Sequence, residues 1–166
     1  MSTNLENEAL KYKRVIEKVK TGMMVTRYQS DTNIKARPMA TIKVEDNGDL
    51  WFFTNEFSEK AREISGNNEV IITYSHPTSN DYIVVNGIAS VVTDKEKIKE
   101  LWQPVIRMWF PRGLNDTKLC LLKVEPTEIE YWSGSTNRVL VFFKMVSSMF
   151  SRDVYKLGEY GRFGLR

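Results

Sequence analysis

Between residues 23 and 132 the chain is a succession of short β-forming runs, each closed by a turn signal. No helix recurs between them regularly enough to build a parallel sheet. The runs predict strands over 23–29, 36–45, 50–54, 70–74, 82–93, 119–124 and 128–132. Asp46-Asn47-Gly48-Asp49 is a hairpin signal, because Asn and Gly accept positive φ cheaply, and it makes the second and third runs antiparallel partners. Ser30–Asn33 and His76–Asp81 are further breaks, and Gly87 inside a β-branched run predicts a bulge or tight bend. Short antiparallel strands with one glycine-kinked member fit a mainly β (α+β) domain, closed or partly closed as a barrel.

Helices flank these runs. Leu5, Ala9, Tyr12, Ile16 and Val19 recur at helical spacing, with Thr3 or Asn4 as cap and Gly22 as the expected stop. Ser58 caps a predicted short helix ending at Gly66, Asp94 caps one carrying Ile98, Leu101 and Trp102, and Pro104 opens a helical turn through Trp109. Val139, Phe142, Phe143, Val146, Met149 and Phe150 form one face of a late helix. The whole chain, 1–166, is thus expected to be one domain: a barrel over about 23–132, then a C-terminal helix and a basic tail over 138–166.

Charge and rare residues narrow the chemistry. The net charge is only +3, and residues 138–166 alone carry six cations against Asp153 and Glu159, so the barrel is near neutral. That argues against a nucleic-acid partner and is consistent with a merely solvated tail. The longest apolar stretch, Val139–Phe143, is too short to cross a bilayer, and the N-terminus does not read as a signal peptide. One cysteine, Cys120, in an apolar run, permits no internal disulfide and reads as a buried small hydrophobe, so the cytoplasm is the expected compartment. With His76 the single histidine, a His/Cys metal site and a serine triad are both poorly supported. Walker and dinucleotide glycine motifs are absent.

What remains is a cluster around the first hairpin. Arg37 and Lys43 lie on one strand, Phe52-Phe53-Thr54-Asn55 ends the next, and Ser58-Glu59-Lys60 opens a helix. A phosphate favours free helix N-terminal N–H groups, a hydroxyl and a cation, which Ser58, Thr54 and Lys60 could supply. Judged by composition alone, the favoured reading is that Ser58 only caps the helix and Lys60 is a solvated surface residue.

The order of the pieces says more than any one of them. Arg37-Pro38-Met39-Ala40-Thr41, Leu50-Trp51-Phe52-Phe53-Thr54, Ser58-Glu59-Lys60 and Tyr82–Ala89 together resemble the pyridoxamine 5′-phosphate oxidase-like split-barrel flavoproteins. Trp109-Phe110-Pro111-Arg112-Gly113 and Glu130-Tyr131-Trp132 resemble the general stress protein 26 type. The resemblance implies an antiparallel split β-barrel that binds flavin mononucleotide (FMN). It places the flavin ring along Met39, Ala40, Thr41 and Ile42, beside Pro38 and Phe53, and the phosphate among Thr54, Asn55, Ser58 and Lys60. Arg37 and Lys43 would be additional cations, and Trp109 would lie near the flavin of a homodimer. It further implies a stress-related oxidoreductase of a small-molecule donor or substrate. The alternatives are a non-enzymatic flavin carrier or redox sensor, or a haem-handling barrel, which a single imidazole disfavours. Two features depart from the family: Asp116 is followed by Thr117, not proline, and the tail lacks the Arg/His substrate motif of authentic pyridoxamine 5′-phosphate oxidases. Oxidation of that substrate is therefore not expected.

Overall fold

A computed structural model describes residues 12–27, 34–55, 64, 67–134 and 158–164. Among them are seven strands: β1 (Thr21–Arg27), β2 (Ile34–Val44), β3 (Leu50–Asn55), β4 (Glu69–Ser75), β5 (Tyr82–Val92), β6 (Leu119–Gly134) and β7 (Gly158–Gly164). They form one antiparallel sheet in the order β3-β2-β1-β4-β5-β6-β7. β3 also pairs with β6, so β1 to β6 close into a six-stranded barrel. The mainly β barrel expected from the turn-punctuated runs is what forms.

Strand periodicity explains the core. In β4, Val70, Ile72 and Tyr74 point inward and are buried, while Ile71 and Thr73 face out. Met24, Leu50, Phe52, Ile83, Val85, Leu122 and Ile129 fill the same interior. Helix α1, described over residues 12–19, lays Tyr12 and Ile16 into this core. Its Tyr12 hydroxyl donates to the Gly48 carbonyl in the β2–β3 turn at 2.6 Å, tying the helix to the hairpin.

Three expectations are corrected. Gly22 does not stop α1. The helix closes at Lys20, whose N–H donates to Ile16 O at 2.7 Å and whose φ is +62°. Gly22 lies inside β1, where it matters because a Cβ there would stand 2.8 Å from both Ile72 Cγ2 and Tyr74 Cε1. Left-handed backbone costs a non-glycine residue about 1–2 kcal/mol, partly offset by the larger unfolded-state entropy of glycine. Lys20→Gly should therefore stabilise the protein by about 0.5–1 kcal/mol, read as a higher midpoint in thermal unfolding; an unchanged or lower midpoint would refute this.

The second correction merges the strands predicted over 119–124 and 128–132 into the single β6. Glu125-Pro126-Thr127 resembles a break, but it is a bulge, with Gly87 opposite Pro126 and Asn86 opposite Glu128. The Thr127 hydroxyl donates to Asn86 O at 3.2 Å across it. A Cβ on Gly87 would sit 2.8 Å from Glu125 O, so glycine lets the two main chains approach. The third correction concerns the end of the chain. Residues 158–164 are not free tail: β7 pairs with the second half of β6, and Arg162 Nη2 bonds Glu128 Oε2 at 2.8 Å. The apolar helix predicted over 139–150 lies outside the described residues, as does the one predicted from Ser58, apart from buried Ile64.

A second apolar core sits on the outer face of β3 and β6. Helix α2 (Lys95–Leu101) is capped as expected, Asp94 Oδ1 accepting from Lys97 N at 2.8 Å. Ile98, Leu101 and Ile106, the last from a 3₁₀ helix over Pro104–Met108, pack there against Trp51, Phe53, Leu119 and Leu121.

Candidate functional site

β2 and β3 are joined only near their hairpin. Val44 pairs with Leu50, Lys43 with Trp51 and Thr41 with Phe52. Beyond Thr41 they part: β2 continues along β1, from Ala40 opposite Thr21 to Ile34 opposite Arg27, while β3 continues along β6 to Asn55 opposite Leu119. Pro38–Ala40 and Phe53–Asn55 are thus not paired with each other. Pro38, with no N–H to contribute, is tolerated there. The opening is a cleft of about 810 Å³.

A bulge sets what faces it. Ile42 is the extra residue between the Thr41 and Lys43 rungs. Without it Met39, Thr41 and Lys43 would share one face; with it Val44 turns into the core and Lys43 turns out. The Lys43 ammonium meets Glu100 Oε1 at 3.4 Å, and Lys97 Nζ meets the same oxygen at 3.2 Å. Hydrogen bonding from Lys97 first, then the charges of Lys97 and Lys43, hold the Glu100 carboxyl below the usual carboxylate range.

The second core builds another wall. Phe53 packs edge-on against Trp102, centroids 5.7 Å apart at 86°, and tilts against Phe110 at 6.4 Å. This holds the segment from Gln103 to Phe110 over the cleft, where Val105 and Trp109 stay exposed. Cys120, fully buried behind Thr54, bonds Thr54 O through its thiol at 3.6 Å and lies in the core as expected.

Of the residues singled out in the sequence, Pro38, Met39, Ala40, Thr41, Ile42, Lys43, Phe53, Thr54, Asn55 and Trp109 line this one cleft. Arg37 is not among its lining residues. Ser58 and Lys60 lie outside the described residues. The cleft also takes Ile16, Glu17, Lys20 and Thr21 from the end of α1, and Gln103, Val105, Ile106 and Phe110. Sequence reasoning missed the α1 group because its membership follows from β1 lying beside β2, a tertiary fact without local signature. Among the described residues no three His, Cys, Asp or Glu side chains converge as a metal site, and no helix is long and apolar enough to cross a membrane.

A family model described as pyridoxamine 5′-phosphate oxidase like matches residues 7–156. Protein bli-3 of Neurospora crassa is 28% identical over 129 residues, covering 72% of this chain; the chain spans only 62% of that relative's length. Among solved structures, a candidate general stress protein 26 of Jannaschia sp. CCS1 superposes with a TM-score of 0.76 at 21% identity, over 95% of this chain and 98% of the other. The general stress FMN/FAD binding protein of Xanthomonas citri superposes at 0.65 with 24% identity, over 74% and 86%. At these identities the superpositions establish the fold.

Proposed function

The chain belongs to the pyridoxamine 5′-phosphate oxidase-like family, and we propose that it is a flavoprotein that binds FMN in the cleft between β2 and β3 and serves as an oxidoreductase of a small-molecule substrate. One observation carries this reading: the unzipped stretch of two strands, with its main-chain edges bordering a cleft of about 810 Å³. That volume lies within the range of about 300–1,000 Å³ typical of ligand sites. The lining suits a flat ring with a polar tail, since Met39, Ala40, Ile42 and Phe53 give apolar walls and Thr54 and Asn55 a polar end. The Xanthomonas citri protein, named for FMN/FAD binding, adopts the same fold.

When bound, FMN supplies the electron transfer itself. The protein's part is to hold and enclose it. Met39, Ala40 and Ile42 would line the ring, Phe53, Phe110 and Trp109 would shut out water, and Thr54 and Asn55 would lead the ribityl chain toward Ser58 and Lys60. Adding FMN to the purified apoprotein should shift and structure the flavin absorption bands and quench or alter its fluorescence, at one FMN per chain. Unchanged spectra at high micromolar protein would refute the reading.

The protein acts as a homodimer in this proposal. Val105, Met108, Trp109 and Leu114, close together in sequence, are all exposed, Met108 being 76% and Trp109 62%, and Val105 and Trp109 line the cleft. Such a group is costly in a monomer, and a two-fold partner is its commonest cover. Light scattering of the FMN-loaded protein at micromolar concentration should give twice the chain mass of 19.3 kDa; a flavin-loaded monomer would overturn it.

A further inference from the structure

Thr41 stands where β2 and β3 part, and three contacts converge on it. Its N–H donates to the carbonyl of Lys20 at 2.7 Å. Its main chain makes the last rung with Phe52, just past the Ile42 bulge. Its hydroxyl lies 2.7 Å from the Tyr74 hydroxyl. Tyr74 is fully buried, and Gly22 makes the room for its ring, since a Cβ at Gly22 would stand 2.8–2.9 Å from it.

The direction of that hydroxyl bond follows from counting protons. Burial pushes the Tyr74 ionisation far above the ordinary tyrosine range, so its O–H stays a donor. Thr41 Oγ1 is its hydrogen-bond partner among the described residues. If Thr41 donated, the Tyr74 proton would have no acceptor among the described residues, which is strongly disfavoured for a buried hydroxyl. Tyr74 therefore donates and Thr41 accepts. The Thr41 proton is then left over on a residue that lines the cleft. A hydroxyl that already accepts a bond is polarised and becomes the better donor.

We infer that Thr41 is a ligand-facing hydrogen-bond donor in the cleft, held and polarised by Tyr74 as a positioning residue, and that its proton goes to an acceptor atom of the flavin ring. The inference rests on the FMN reading above. Reduction places electron density on the ring's nitrogen and oxygen acceptors, so a donor at one of them holds the reduced ring more tightly than the oxidised one and raises its potential.

The test uses the full chain with FMN and measures affinity and midpoint potential. Thr41→Val orphans the buried Tyr74 hydroxyl and can impair folding, so the Thr41→Val/Tyr74→Phe double variant, which removes both hydroxyls at nearly constant shape, carries the comparison. It should bind oxidised FMN about fivefold more weakly. Its potential should fall by about 30 mV for every tenfold by which affinity for reduced FMN drops beyond that for oxidised FMN. Thr41→Ser should keep both values near wild type. Tyr74→Phe alone should give an intermediate loss. If wild type binds FMN and the double variant matches it in affinity and potential, the Thr41 hydroxyl has no ligand role. If the double variant falls but Tyr74→Phe alone matches wild type in both, the positioning role of Tyr74 is overturned. If wild type itself fails to bind FMN, the proposed function falls, and this inference with it.

Discussion

Phe52→Ala should destabilise the barrel by about 3–5 kcal/mol. Phe52 is fully buried on the inner face of β3, opposite Thr41 at the last rung before the strands part. Truncation leaves a closed void, because Leu50, Ile72, Leu122 and Val124 of the same core cluster are themselves fully buried and belong to strands held by ladders on both sides. Small domains have total stabilities of about 5–15 kcal/mol, so this one loss leaves little in reserve. Phe53, one residue on, faces the opposite way and borders the cleft. Phe53→Ala opens onto solvent rather than creating a sealed hole, so it should cost less. Urea unfolding followed by tryptophan fluorescence separates the two, provided the slope with denaturant stays constant. A Phe52→Ala loss below about 1.5 kcal/mol would show that the site collapses freely and that the rung beside the cleft is not rigid.

Those two phenylalanines also show what a sequence can and cannot reveal. Alternation told that adjacent residues of a strand face opposite sides, and the strands over β2 to β5 fell within a few residues of expectation because each carries its own turn signal. The errors arose where local chemistry and tertiary position disagree. Gly22 follows an amphipathic helix and so looks like its stop, yet it is glycine because the Tyr74 ring leaves no room for a Cβ. Pro126 looks like a strand break, yet β6 absorbs it as a bulge opposite Gly87. The cationic tail looked solvated because three glycines dilute any strand pattern in Gly158–Gly164, yet Arg162 finds carboxylates on β6. The cleft followed the same rule. Its β2 and β3 lining was legible as a contiguous motif, but the contribution of Ile16 to Thr21 required knowing that β1 is the neighbour of β2.

Lys60→Ala should weaken FMN binding by about tenfold or more while leaving riboflavin binding nearly unchanged. In the reading proposed above, the FMN phosphate would lie beyond the ring contacts, and β3 reaches the cleft at Thr54 and Asn55. Lys60 follows Asn55 by five residues, so its Cα lies within at most about 18 Å of that edge. Sequence places a hydroxyl, Ser58, and a predicted helix start between them, and a helix N-terminus offers N–H groups that have no intrahelical acceptor. A phosphate there would gain from those donors, from the Ser58 hydroxyl and from the Lys60 ammonium. Each charge-assisted bond is worth about 1.5–3 kcal/mol, which corresponds to a loss of about tenfold to a hundredfold when one is removed. Riboflavin carries the same ring and ribityl chain without the phosphate, so the ratio of the two affinities cancels any general loosening of the fold. Raising salt should shrink the FMN preference in wild type and have little effect in the variant, because salt screens the attraction between an ammonium and a phosphate. Isothermal titration of both ligands against both proteins decides the matter. Equal losses for FMN and riboflavin, or none for either, would make Lys60 a surface residue and move the phosphate elsewhere in the cleft.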